Sequence, residues 1–388
     1  MAFARTRRAV GAAVAASSLL LAAAPVAHAD AARDKQWPLQ AYEAAQKIWP
    51  ITTGKGQVVA VIDTGVRTTH VDLVGSLLPG KNFAPSSYNV AANDAHGTMM
   101  ASLIVGHGHG PGGSDGIMGL APGAKVLPLT VDLSAPDSHA EIAEAIRYAV
   151  AQGADVVNMS IGDAFSNDLE QSAVAYAEAH NVVLVAAAGN DGLESNNYPA
   201  SYPGVVDVGG SNQDGTIWSD SDYGPHIDLV APGSNVLGDD SGSDTQYSLG
   251  NGTSGAAAYV SAAAALVRAK FPELTAGQVI NRLIKSAIDP NAQPGQTTPD
   301  LHYGYGVMRP NVALTENIPA GPAAGPLPQA TDPLAAGPAG SAAPTALTAK
   351  AADSSSGSLL WTVAIGVVVL AGCVGLGVVL SRRRRGVR

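Results

Sequence analysis

Cysteine is almost absent: among 388 residues only Cys373 is one. No intramolecular disulfide and no cysteine-based zinc site can form. Cys373 also sits in an apolar run, where burial disfavours the thiolate that a nucleophile needs. Charge is sparse too, at 14% of residues, with 22 basic against 32 acidic side chains. Arg5, Arg7 and Arg8 lie near the start, and Arg382, Arg383, Arg384, Arg385 and Arg388 near the end. Between them remain 14 basic and all 32 acidic residues, a net charge of −18. So acidic a body argues against a nucleic-acid partner. No internal repeat is visible.

The ends read as targeting segments. The basic residues 5–8, the apolar stretch 9–24 and Ala27-His28-Ala29 have the order of a secretory signal with its cleavage site, giving residues 1–29 as a signal peptide. The uncharged run 359–380 has 22 residues, enough to cross a bilayer as a helix, and arginines follow it. By the positive-inside rule, residues 381–388 form a cytoplasmic tail, and the bulk of the chain faces outward from a single-pass cell-membrane anchor. Residues 30–55 read as a short N-terminal arm, 56–317 as the globular domain, and 318–358 as a Pro/Ala/Gly-rich linker with no core-forming pattern.

Within the domain, apolar runs at 57–62, 125–131, 155–160, 182–188, 205–209 and 227–231 read as strands. Amphipathic or Ala-rich stretches at 138–152, 168–180, 254–271 and 276–287 read as helices. Their alternation predicts an α/β fold with a mainly parallel central sheet covered on both faces. Thr275 and Gln278 have the spacing of a capping box. The glycine-rich stretch 106–119, with His107 and His109, reads as a surface loop; two histidines without a third ligand are weak grounds for a metal.

Three residues sit where chemistry gathers. Asp63 follows the apolar strand 57–62, at the carboxyl end where α/β sheets collect functional groups. His96-Gly97 opens an apolar helix, and Gly252-Thr253-Ser254 leads into another. A serine hydroxyl is a weak nucleophile until a base takes its proton. A neutral histidine can do so, and a buried carboxylate fixes its tautomer and stabilises the imidazolium. Asn190, in Gly189-Asn190 at the end of another apolar strand, can give an amide N–H to an oxyanion beside the Ser254 N–H. Taken singly, each residue reads as well as a cap, a helix start or a turn. Taken together, they form a complete set for acyl transfer. An aspartic-protease reading from Asp63-Thr64-Gly65 and Asp240-Ser241-Gly242 fails, because Asp240 follows no apolar strand and the helices contradict an all-β fold.

In order, Val61-Ile62-Asp63-Thr64-Gly65-Val66, His96-Gly97-Thr98, Ala187-Ala188-Gly189-Asn190 and Gly252-Thr253-Ser254 resemble the four signature blocks of the subtilisin-family serine endopeptidases, over about residues 56–314. The resemblance implies the three-layer subtilisin-like fold, protein or peptide substrates, and catalysis by Asp63, His96 and Ser254. It also implies an oxyanion hole at Asn190 and Ser254. Ser160, Ile161 and Gly162 would form an edge strand that pairs with substrate backbone, and Ala187, Ala188 and Gly189 a wall of the first specificity pocket. Cofactors are expected to be none, metal ligands included; relatives can hold structural calcium, but no acidic loop here has a fitting ligand spacing. The layout, with Val157-Asn158-Met159-Ser160 and Ala258-Tyr259-Val260-Ser261, is similar to the mycosins, membrane-anchored proteases associated with type VII secretion in actinobacteria. That implies a secretion membrane complex as partner, with a mainly structural, protease-like role as the alternative. Disulfides of some mycosins cannot form here. Gly255 and Ala258 depart from the usual Met and Pro of general subtilisins and leave the pocket shape open. Residues 30–56 are too short for a typical folding pro-domain, so activation without removal of a large pro-domain is expected.

Overall fold

The computed structural model describes residues 31–136, 138–292 and 299–335. The signal, membrane-run and tail expectations, and the linker beyond residue 335, lie outside them. Among the described residues no helix is long and apolar enough to cross a membrane.

Seven strands form the central sheet: β1 (Val58–Asp63), β2 (Lys81–Asn82), β5 (Lys125–Thr130), β6 (Val156–Met159), β7 (Val183–Ala187), β8 (Val205–Ser211) and β9 (Leu229–Pro232). Their order is β2-β5-β1-β6-β7-β8-β9, and every pairing in it is parallel. The chain leaves β1 toward β2 and β5 on one side, then returns to β6 on the other. The carboxyl ends of β1 and β6 therefore flank a switch point, the crevice where α/β sheets bind ligands.

Side chains alternate between faces, since successive strand residues point oppositely. Val59, Val61, Val156, Val183 and Val185 face one core with α1 (Ala95–Val105), α4 (Thr253–Lys270) and α5 (Ala276–Ser286). Ala60, Ile62, Val157, Met159 and Leu184 face a second core with α2 (Ser138–Ala151) and α3 (Asp168–Ala179). This is the three-layer α/β architecture expected from the sequence. Helix α4 is buried at every residue from Gly255 to Val267. Its small alanines let it lie close over β6 to β9, and Tyr259 fills the space toward Tyr42, edge-on at 6.1 Å. The Thr275–Gln278 capping box opens α5.

Four stretches go beyond the sequence reading. Residues 106–119 contain an antiparallel hairpin, β3 (His107–His109) with β4 (Asp115–Met118), bulged between its two histidines. A second hairpin, β10 (Val236–Asp239) with β11 (Tyr247–Gly250), precedes α4. Both are rich in glycine and lack a clean alternation, which hid them. The arm is not detached: Arg33 donates to Gly113 and Asp115 carbonyls, Trp37 Nε1 to Ser234 O at 3.1 Å, and Ile48 is fully buried. The first part of the predicted linker is also bound to the domain. Arg282 donates to the carbonyls of Ala313, Ile318 and Glu316, Asn281 to those of Pro319 and Ala320, and Leu327 is buried. Main-chain carbonyls carry most of this attachment, and composition does not reveal them. Among the described residues the last helix is α6 (Pro310–Thr315).

Candidate active site

Asp63 is the last residue of β1 and is 1% exposed, so its carboxylate must find donors inside the protein. Thr64 N–H donates to Oδ1 at 2.7 Å, and the Thr64 hydroxyl is anchored on Asn93 O at 2.6 Å. His96 Nδ1 lies 2.9 Å from both carboxylate oxygens. That contact holds the ring proton on Nδ1 and leaves Nε2 as a lone-pair base. The charge of Asp63, helped by the hydrogen bond and opposed by burial, raises the His96 pKa above its ordinary value. The imidazole keeps 43% of its side-chain surface exposed, so a substrate can reach it. Glycine at position 97 permits this approach: a Cβ there would lie 2.1 Å from Gly65 O and 3.0 Å from Asp63 Cβ.

Ser254 is the second residue of α4. Its N–H belongs to the first turn, where a helix has no acceptor of its own, and the helix dipole favours negative charge there. Its hydroxyl donates to Ser160 O at 3.1 Å, while the Ser160 hydroxyl donates to Ser254 O at 2.8 Å. Behind this reciprocal pair runs a buried chain missed in the sequence. Asn158 Nδ2 donates to Ser160 Oγ at 2.9 Å, and Ser261 Oγ donates to Asn158 Oδ1 at 2.9 Å. Two turns of α4 are thereby pinned to the end of β6. The only signal in the sequence was a serine within an alanine-rich helix.

Asn190 is oriented by its own oxygen, which accepts from Thr253 N at 2.8 Å and Thr253 Oγ1 at 3.1 Å. The amide nitrogen lies beside Gly252, 3.8 Å from where a Cβ on that residue would stand. Asn190, His96 and Ser254 line one cavity of about 200 Å³. The structure thus brings Asp63, His96, Asn190 and Ser254 together from four separate elements.

Ser160, Ile161 and Gly162 continue the central strand β6 past the sheet's carboxyl edge. They are not an edge strand of the main sheet, as the sequence suggested. No ladder of the sheet reaches Ile161 or Gly162, and Asp163 forms an antiparallel bridge with Tyr198. Ala187 ends β7; Ala188 and Gly189 follow, both alanines buried. A Cβ on Gly189, at φ +118°, would lie 2.0 Å from Asn197 Nδ2 and 2.2 Å from Asp222 Oδ2, so that wall needs glycine. Asp240, weighed as half of an aspartic pair, accepts from Gly242 N at 3.0 Å in the β10–β11 turn.

His107 and His109 stand apart from this group. His109 Nδ1 donates to Asp72 Oδ1 at 2.7 Å, and His107 meets the carbonyls of Gly108 and Val74. Among the described residues one set has the spacing to hold a metal: buried His70, Asp72 and Asp239, with donor atoms within 4.8 Å of one another. Its contacts suit proton sharing. His70 Nδ1 lies 3.0 Å from Asp239 Oδ2, His70 Nε2 faces Gln246 O, and Asp72 accepts from Ile117 N. Burial pushes the Asp239 carboxyl up to about 7.

Comparison with known proteins follows the same residues. Residues 54–306 match the Subtilase family (Peptidase_S8). The chain is 38% identical over 271 residues to the thermophilic serine proteinase of Bacillus sp. (strain AK1), covering 69% of this chain and 64% of that protein. It therefore spans just under two thirds of that relative's length. The crystal structure of MycP1 from Mycobacterium smegmatis superposes with a TM-score of 0.65 at 31% identity, covering 78% of this chain and 89% of that one. MycP1 from the ESX-1 type VII secretion system gives 0.64 at 30% identity, covering 75% and 88%.

Proposed function

The chain belongs to the subtilase family of serine peptidases, and from that premise we propose that it is an endopeptidase cleaving proteins or peptides through an acyl-enzyme on Ser254. The observation that carries this is the Asp63–His96 contact at 2.9 Å, opening with Asn190 and Ser254 onto one cavity. Ser254 Oγ leaves its acceptor on Ser160, attacks the scissile carbonyl and passes its proton to His96 Nε2. Asp63 stabilises the imidazolium. The Asn190 amide and the Ser254 N–H receive the oxyanion in the first turn of α4. His96 then protonates the departing amine, and water repeats the sequence to free the acid and restore the serine. Ile161 and Gly162 offer main-chain groups for an extended peptide, with Ala187, Ala188 and Gly189 walling the pocket ahead of the cut. A fluorophosphonate probe and a quenched protein substrate test the reading. Wild type should be labelled and active, and Ser254→Ala neither. A wild type that is inert to both refutes it.

The likeness to MycP1, which extends over nearly all of that chain, favours a narrower reading. The enzyme would be a membrane-anchored, extracytoplasmic protease of a type VII secretion complex, held by residues 359–380. In such a complex it would also serve as a structural component. Complementing a deletion strain with Ser254→Ala separates the two roles: secretion that survives without cleavage assigns the structural one. Membrane extraction of the full chain, with and without residues 359–388, tests the anchor.

A further inference from the structure

The cavity beside Ser254 extends past the catalytic group to residues of α1 and the β10–β11 hairpin. Its lining includes the polar His96, Asn190, Asn251 and Ser254 and the apolar Met99, Met100, Leu103 and Val236, with Gly250 and Gly255. No acidic or basic side chain other than His96 lines it. Two glycines keep it open. A Cβ on Gly255 would meet only ordinary contacts, Leu103 Cδ1 at 3.6 Å and Val236 Cγ2 at 4.0 Å, whereas one on Gly250 would lie 2.9 Å from Met99 Sδ. Filled by neither residue, the space stays between α1, the β10–β11 hairpin and the start of α4. Its volume of about 200 Å³ falls below the roughly 300–1,000 Å³ of small-molecule sites and suits a single side chain. The flexible thioether of Met99 lets the wall adapt to its guest.

Neither residues 160–162 nor 187–189 belong to this lining. In the peptidase reading those segments hold the acyl half of the substrate, and His96 hands its proton to the amine half. A cavity that touches His96 and Ser254 but not the acyl segments faces the departing amine. We propose that it receives the side chain of the residue immediately after the scissile bond and selects apolar side chains of Leu or Met size over small or charged ones. The inference rests on the peptidase reading above.

Acyl transfer tests it directly. A peptide ester loads Ser254, and amino-acid amides then compete with water for the acyl group. The amide's amine attacks the acyl carbonyl, the bond to Ser254 Oγ breaks, and one amine proton passes through His96 to the serine oxygen. The ratio of peptide to acid formed reports how well each amide occupies the amine side. Leu-amide and Met-amide should be captured roughly tenfold or more above Ala-amide or Asp-amide, the scale of a few methylenes in an apolar pocket. Gly255→Met, which fills the space from within, should abolish that preference. Leu103→Ala, which enlarges it, should move the preference to Phe-amide. Ester hydrolysis with equal capture of all amides by the wild type, or an unchanged preference in both variants, overturns this inference alone. An ester left unhydrolysed overturns the peptidase reading and this inference with it.

Discussion

The buried His70–Asp72–Asp239 group makes stability depend on pH in a direction opposite to that of a surface salt bridge. Burial first, and then the neighbouring Asp72 charge, raises the Asp239 carboxyl to about 7 against the lowering effect of His70; the unfolded value is about 3.9. Burial also works against the His70 imidazolium, but Asp239, the Gln246 carbonyl and Asp72 together leave its pKa raised. The pair therefore holds more protons in the folded state than the same two groups do in the unfolded chain. Such stabilisation is complete below the unfolded pKa and is lost as pH rises through the folded one. For Asp239 the window runs from about pH 4 to pH 7. A difference of about 3 units at 1.36 kcal/mol each sets a ceiling of about 4 kcal/mol, and the pair titrates as one system with His70. At roughly 2–4 °C per kcal/mol for a domain of this size, the ceiling in Tm is about 8–16 °C. Scanning calorimetry on a Ser254→Ala background, which prevents self-digestion, measures it with and without Asp239→Asn. Buried Asp207, Asp228 and Glu170 are raised by the same desolvation and add the same sign. The wild-type-minus-variant difference isolates Asp239. That difference should decline steadily between pH 4 and pH 7, in favour of the variant at the upper end. A flat difference across the window would refute the argument.

Two further outcomes follow from the catalytic group. Because the charge of Asp63 raises the His96 pKa, kcat/KM should rise with pH about a midpoint above 6.5, the reference value for histidine; Asp63→Asn should cost about 10⁴ in kcat, and a wild-type midpoint at or below 6.5 would contradict the assignment. Asn190→Ala should lower kcat by about 10²–10³ with little change in KM; a loss expressed mainly in KM would place Asn190 in ground-state binding instead.

The apolar strands were legible because a parallel sheet buried on both faces demands continuous hydrophobic runs. β1, β6 and β7 fall within a residue or so of where Val58, Val156 and Val183 announce them. Asp63, His96, Asn190 and Ser254 were legible because each stands at an abrupt change from apolar run to turn or helix. Their spatial meeting was not readable residue by residue; only their joint presence pointed to it. The Asn158–Ser261 contact was almost hidden, since it joins positions 103 apart and its one local signature is a serine within an alanine-rich helix. Gly255 was noticed as a departure that left the pocket shape open. What the structure adds is that the missing side chain leaves a cavity, bounded by Leu103 and Val236 from distant elements. His107 and His109 misled in another way: glycine-rich sequence reads as loop, yet the hairpin is held by Asp72.

The strap that follows α6 also bears on how far the enzyme can reach. α5 grips it along one side: Asn281 holds the carbonyls of Pro319 and Ala320, Gln278 that of Gly321, and Thr275 that of Ala323. Farther on, Glu178 accepts from Ala330 N. Left free, residues 318–335 could extend by roughly 60 Å; clasped to the body, they provide no slack. In the membrane-anchored form proposed above, these residues would add little to the reach of the cleft. Cutting the chain at Asn317 would remove the Ile318 carbonyl from Arg282 and strip the rest of the collar from α5.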